Sequence, residues 1–176
     1  MTGGQTCALP IFFSGVVVAR KVASLLADLG LDHCPNFFRD RQFLAALAAG
    51  VLFWLALAYT SPNLQAVPAT LTVLLSLCLF QPVMEELIFR GVIQTELLRK
   101  RWGERNHAGF STANWITSVA FATLHFVSHP PLWAAAVLAP SLLFGYFRER
   151  HRSLYPPLAL HIYYNTGYFL TTGFST

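Results

Sequence analysis

Charge is what this 176-residue chain has least of. Only 11% of its residues are Asp, Glu, Lys or Arg, where a soluble domain carries roughly a quarter. Aspartate is confined to Asp28, Asp32 and Asp40, all ahead of the first long apolar run, so an intramembrane aspartyl pair is excluded. There is no Gly-x-Ser-x-Gly to form a serine nucleophile elbow and no His-Glu-x-x-His to form a zinc-protease helix. The three cysteines, Cys7, Cys34 and Cys78, share no metal-ligand spacing. They read as small hydrophobes rather than as a disulfide framework. No basic segment precedes the apolar stretch from Ile11 to Ala19, so no cleavable signal peptide is expected.

What is present is apolar. Hydrophobic residues make up 55% of the chain, and the mean hydropathy is +0.49. The length suits one domain. Long apolar runs alternate with short basic connectors, which predicts an all-α fold: a polytopic membrane helix bundle of about five transmembrane helices, plus an N-terminal interfacial helix. The interfacial helix is expected over about residues 14–29, followed by Asp32 and preceded by an opening, Met1 to Pro10, with no evident structural logic. Residues 1–40 thus read as an interfacial or poorly ordered segment and residues 41–176 as the membrane-embedded domain. The expected spans are Phe43 to Tyr59, a kinked helix from about Val67 to Leu98 broken at Pro82, Thr112 to Val127, Leu132 to Phe147 bent at Pro140, and Pro156 to about Thr172. Arg39 and Arg41, Arg99 to Arg105 and Arg148 to Arg152 are separated by even numbers of spans. The positive-inside rule places all three connectors on the cytoplasmic side and leaves 60–66 and 128–131 outside. The net charge of +4 therefore reports membrane orientation rather than nucleic-acid binding.

Polar residues recur inside these runs, where ionised groups are costly unless partnered. Glu86 and Arg90 lie four apart and share a helical face, predicting an ion pair. Glu85 sits about 100° round the same helix without a local partner. The third span carries His125, four after Phe121, and the last carries His161 and Asn165 on one face. Counted along the helices, these residues reach overlapping depths, so they are expected to converge. A carboxylate and an imidazole sharing one water can take its proton as it attacks a carbonyl. A second imidazole and an amide can donate hydrogen bonds to the oxyanion. The same Glu85, His125 and His161 could instead form a two-histidine, one-carboxylate zinc site. A third reading keeps the cluster as a binding or proton-relay element in a non-enzymatic membrane partner or immunity protein. His107, His129 and His151 read as loop residues and Phe121 as packing.

Glu85-Glu86-x-x-x-Arg90, Phe121-x-x-x-His125 and His161-x-x-x-Asn165 resemble, in order and spacing, the three motifs of the CPBP family. That family comprises the type II CAAX prenyl endopeptidases and the bacteriocin-processing and immunity proteins. Pro140 to Arg148 and Ser153-Leu154 resemble its linking segment. The resemblance implies an intramembrane glutamic endopeptidase in which Glu85 and His125 activate water, Glu86 and Arg90 support them, and His161 and Asn165 stabilise the oxyanion. It implies no metal or other cofactor. The implied partner is the C-terminal tail of a membrane-anchored or lipidated protein substrate, not nucleic acid, and the implied location is a bacterial inner membrane. The compact core resembles most the bacterial members tied to C-terminal sorting signals, as in the JDVT-CTERM system.

Overall fold

The computed structural model describes the backbone of residues 11–60 and 70–172, with side chains from residue 17 onward. The opening before Ile11, the connector 61–66 and the expected start of the second span at Val67 lie outside the described residues. Seven helices are named here: α1 (Ile11–Leu29), α2 (Arg41–Thr60), α3 (Leu71–Leu98), α4 (Thr112–His125), α5 (Pro131–Ala136), α6 (Leu138–His151) and α7 (Tyr155–Thr172). A two-stranded hairpin joins Asn106–His107 to Phe110–Ser111. Its turn holds Ala108 and Gly109 at φ 52 and 89. An alanine in the left-handed region is why the basic connector gave no hairpin signal.

The helix starts are capped as elementary chemistry requires. Asp40 Oδ1 accepts the Gln42 N–H at the head of α2 (2.9 Å), and Ser111 Oγ accepts the Asn114 N–H at the head of α4 (2.9 Å). The bend expected at Pro140 falls one turn ahead of it, where the carbonyl of Ala136 finds no N–H on the proline. The break is at Val137, between α5 and α6, and Pro140 sits in the first turn of α6, where proline is tolerated.

The protein is an all-α membrane helix bundle. α6 packs on both α4 and α7, α7 packs on α2, and α3 lies across α4 and α7. Its solvent logic is inverted. Glu86, Arg90, Gln94, Thr117, Ser118 and Ser141 are fully buried, whereas Leu52, Phe53, Leu55, Phe80, Ile88 and Val119 are exposed. Such a surface suits lipid, which solvates leucine but not an ion pair. α2 and α3 are each long and apolar enough to cross a membrane. Of the other expected spans, the third is a helix of 14 residues, the fourth is α5 and α6 in series, of 6 and 14 residues, and the last is a helix of 18. A 14-residue helix is about 21 Å long, shorter than the ~30 Å hydrocarbon core.

The three basic connectors meet at one end of the bundle, as their spacing required. Arg150 Nε lies 2.5 Å from Asp40 Oδ2, Arg99 Nη2 lies 2.7 Å from Asp28 Oδ1, and Arg148 Nη2 donates to the Asp28 carbonyl (3.2 Å). These contacts also tie the C-terminal end of α1 to α3 and α6. Gly30, at φ 73 just past α1, lets that chain reversal pass under Arg148. A Cβ there would stand 2.8 Å from the guanidinium carbon.

Candidate active site

The site is built around α3, which is not a uniform α-helix. Its turns widen to π geometry at Ser76–Phe80 and again at Leu87–Gln94, an arrangement frequent at functional sites. Between the two lies Gln81–Glu86, which carries both carboxylates.

Glu86 and Arg90 form the expected ion pair, 3.2 Å apart and both with fully buried side chains. The Arg90 guanidinium also donates to the Ser141 hydroxyl (2.7 Å) and carbonyl (3.0 Å) on α6. Its carbon stands 4.7 Å from the Phe121 ring centre and 5.4 Å from that of Phe144. Cation–π attraction and a desolvated carboxylate together hold a charge that lipid alone would reject.

His161 on α7 joins the two carboxylates. Its Nδ1 is 2.8 Å from Glu86 Oε1 and its Nε2 is 3.5 Å from Glu85 Oε2. Phe144 stacks on the imidazole at 4.7 Å. Because Glu86 is already the counter-ion of Arg90, it accepts and His161 Nδ1 donates. Glu85 differs from its neighbour in access: its side chain is 29% exposed, against 0% for Glu86. Glu85 also lies within electrostatic reach of both His161 and His125.

His125 stands on the other side of Phe121. The Phe121 ring centre is 4.6 Å from His125 and 5.9 Å from His161. His125 Nδ1 is 2.9 Å from the Phe121 carbonyl. A carbonyl only accepts, so Nδ1 carries hydrogen and the neutral ring presents its Nε2 lone pair. Asn165 is turned elsewhere: its side-chain amide donates to the Leu77 carbonyl on α3 (3.1 Å). The fold thus brings Glu85, Glu86, Arg90 and His161 into one contact chain. It sets His125 one aromatic ring away and commits one N–H of Asn165 to the backbone.

One contact of the cluster was not legible beforehand. Ser141 completes the Arg90 cradle, and its only signal was membership of the linking segment. His129 lies in the exposed loop after α4, as expected, and its ring stacks on His125 at 5.7 Å with an interplanar angle of 17°. One turn further along α3 a second polar layer follows. Gln94 and Ser111 both donate to Glu149 Oε1 at 2.6 Å, and Asn114 donates to the Leu142 carbonyl (3.0 Å). Among the described residues, no three His, Cys, Asp or Glu side chains are grouped closely enough to hold a metal ion.

Fold and site define a class: a helical membrane protein in which a buried carboxylate and a partly exposed one on α3 meet an imidazole from α7. The family model described as type II CAAX prenyl endopeptidase Rce1-like matches residues 67–167, more than half of the chain and all three motifs. The chain belongs to that family. It is an intramembrane endopeptidase of CAAX type, acting on a protein substrate within the membrane. No curated protein and no solved structure matches it.

Proposed function

We propose that this protein is a glutamic-type protease that hydrolyses a peptide bond near the C-terminal tail of a membrane-associated protein, without a metal. The observation that carries the reading is His161 held between Glu86 and Glu85 while only Glu85 keeps access to its surroundings. Glu85 takes a proton from the attacking water, with the His125 Nε2 lone pair as the second acceptor, and returns it to the leaving amine. Glu86 and Arg90 fix the donor direction of His161. His161 can present an N–H at Nε2 to the oxyanion only in the form that carries both ring protons, Nδ1 being spent on Glu86. Its Nε2–H, not committed to a close hydrogen bond at 3.5 Å, is then free to meet the oxyanion. The second N–H of Asn165 is the remaining donor.

In this reading residues 41–176 form the catalytic domain and 1–40 an interfacial segment. The basic end faces the cytoplasm of a bacterial cell, and the substrate tail resembles a C-terminal sorting signal. The test is cleavage of such tail peptides by the purified protein in proteoliposomes. Glu85→Gln and His125→Ala should each lower the rate by about a hundredfold or more without loss of folded protein. Wild-type rates in Glu85→Gln would end the assignment. Exhaustive chelation separates the chemistries: activity should survive it, and loss restored by added Zn²⁺ would replace this mechanism with a metal-dependent one.

A further inference from the structure

Where the chain enters α2 and leaves α6, an open groove of about 640 Å³ is lined mainly by Arg39, Asp40, Arg41, Arg150 and His151. Three arginines therefore face one carboxylate, and that carboxylate is fully engaged. Asp40 Oδ1 accepts the Gln42 N–H at 2.9 Å. Its Oδ2 meets Arg150 Nε at 2.5 Å and His151 Nε2 at 3.1 Å. The contact with Arg150 uses a single nitrogen of that guanidinium. Arg39 and Arg41 have no carboxylate partner among the described residues and are exposed.

Position decides what such a groove meets. Arg41 is the first residue of α2, which is long and apolar enough to cross a membrane, so the groove lies at the edge of the hydrocarbon, where lipid headgroups are. The head of α2 is already capped by Asp40, so the attraction for a further anion comes from the guanidinium groups, which match phosphate oxygens in bidentate geometry. The groove also joins two elements that diverge in sequence, the lead-in to α2 and the last turn of α6. An anion seated in it would bridge both.

We propose that this groove binds the phosphate of an anionic lipid headgroup, with Arg39, Arg41 and Arg150 as its donors. The proposal stands apart from the proteolytic reading and is tested without a substrate. Purified protein in neutral detergent is titrated with phosphatidylglycerol, phosphatidylcholine or inorganic phosphate. Thermal unfolding is followed, and retained lipid is counted by native mass spectrometry. Phosphatidylglycerol should stabilise the wild type and be retained, and phosphatidylcholine should not. The Arg39→Gln/Arg41→Gln variant should need at least about tenfold more phosphatidylglycerol for the same shift, since each basic residue near a membrane surface contributes several-fold in affinity. Lys100→Gln/Arg101→Gln removes equal charge from exposed positions outside the groove and should change little. Equal losses in the two variants would reduce the effect to diffuse surface potential and overturn the site. Indifference to lipid type would do the same. Protection by inorganic phosphate at matching concentration would assign the groove to a soluble anion instead of a lipid.

Discussion

Asn165 on α7 donates to the carbonyl of Leu77 on α3, 3.1 Å away, and that carbonyl is the one Pro82 cannot serve. In the widened turn Ser76–Phe80 the Gln81 N–H reaches back five residues to Ser76. The same register would pair Leu77 with residue 82, and a proline there has no N–H to give. An unpaired carbonyl at membrane depth is costly, so a side chain from the neighbouring helix takes the missing position. Asn165→Ala should therefore destabilise the protein by about 1–3 kcal/mol. Pro82→Ala supplies a backbone donor, so the double variant should lose less than the sum of the singles. A double-mutant cycle of thermal unfolding in detergent measures this, and strict additivity would break the link.

The Glu86–Arg90 pair makes a second coupled prediction. Breaking a buried pair strands a charge, at about 3–5 kcal/mol, whereas replacing both partners is far milder. Arg90→Met should sharply lower the unfolding temperature, and adding Glu86→Gln should recover much of it, since glutamine still accepts from His161. If the double variant is no more stable than Arg90→Met, the pair is not what holds this face of α3.

Close packing between α7 and α2 depends on Gly167. A Cβ at that position would stand 2.0 Å from Cζ2 of Trp54, so Gly167→Ala forces the indole or the helix to move. Overpacking of this kind costs about 1–3 kcal/mol. Trp54→Leu in the same chain should relieve part of the loss. An alanine variant as thermostable as wild type would contradict the close approach.

Acid sensitivity should trace to Asp40. Its bond with the Arg150 guanidinium holds the carboxyl below the ordinary aspartate range. With the folded-state value depressed, the stabilisation is complete above that range and is lost as pH falls through the folded value. Unfolding temperatures of wild type and Asp40→Asn should converge on acidification and separate again toward neutrality. Parallel curves would show that Asp40 contributes nothing to the pH dependence.

Some of this was readable along the chain. The Glu86–Arg90 pair is a local fact, because residues four apart share a helix face wherever that helix sits. The gathering of basic connectors at one end follows equally from the spacing of apolar runs, and Asp40 meeting Arg150 is its structural form. Even the extent of α7 was within one residue of expectation, since two prolines mark its first turn.

Other features had no local cause. Whether His161 meets a carboxylate, a water or lipid depends on how α7 rotates against α3. The packing of Phe144 between them decides that, and no periodicity within either helix encodes it. The separation of His125 from His161 by the Phe121 ring is likewise a matter of α4 lying against α3. The chain alone determined which groups are too polar to face lipid, because the cost of burying a charge belongs to the side chain. Only the tertiary structure decided which of them satisfy one another, because partnership depends on distances between helices far apart in sequence.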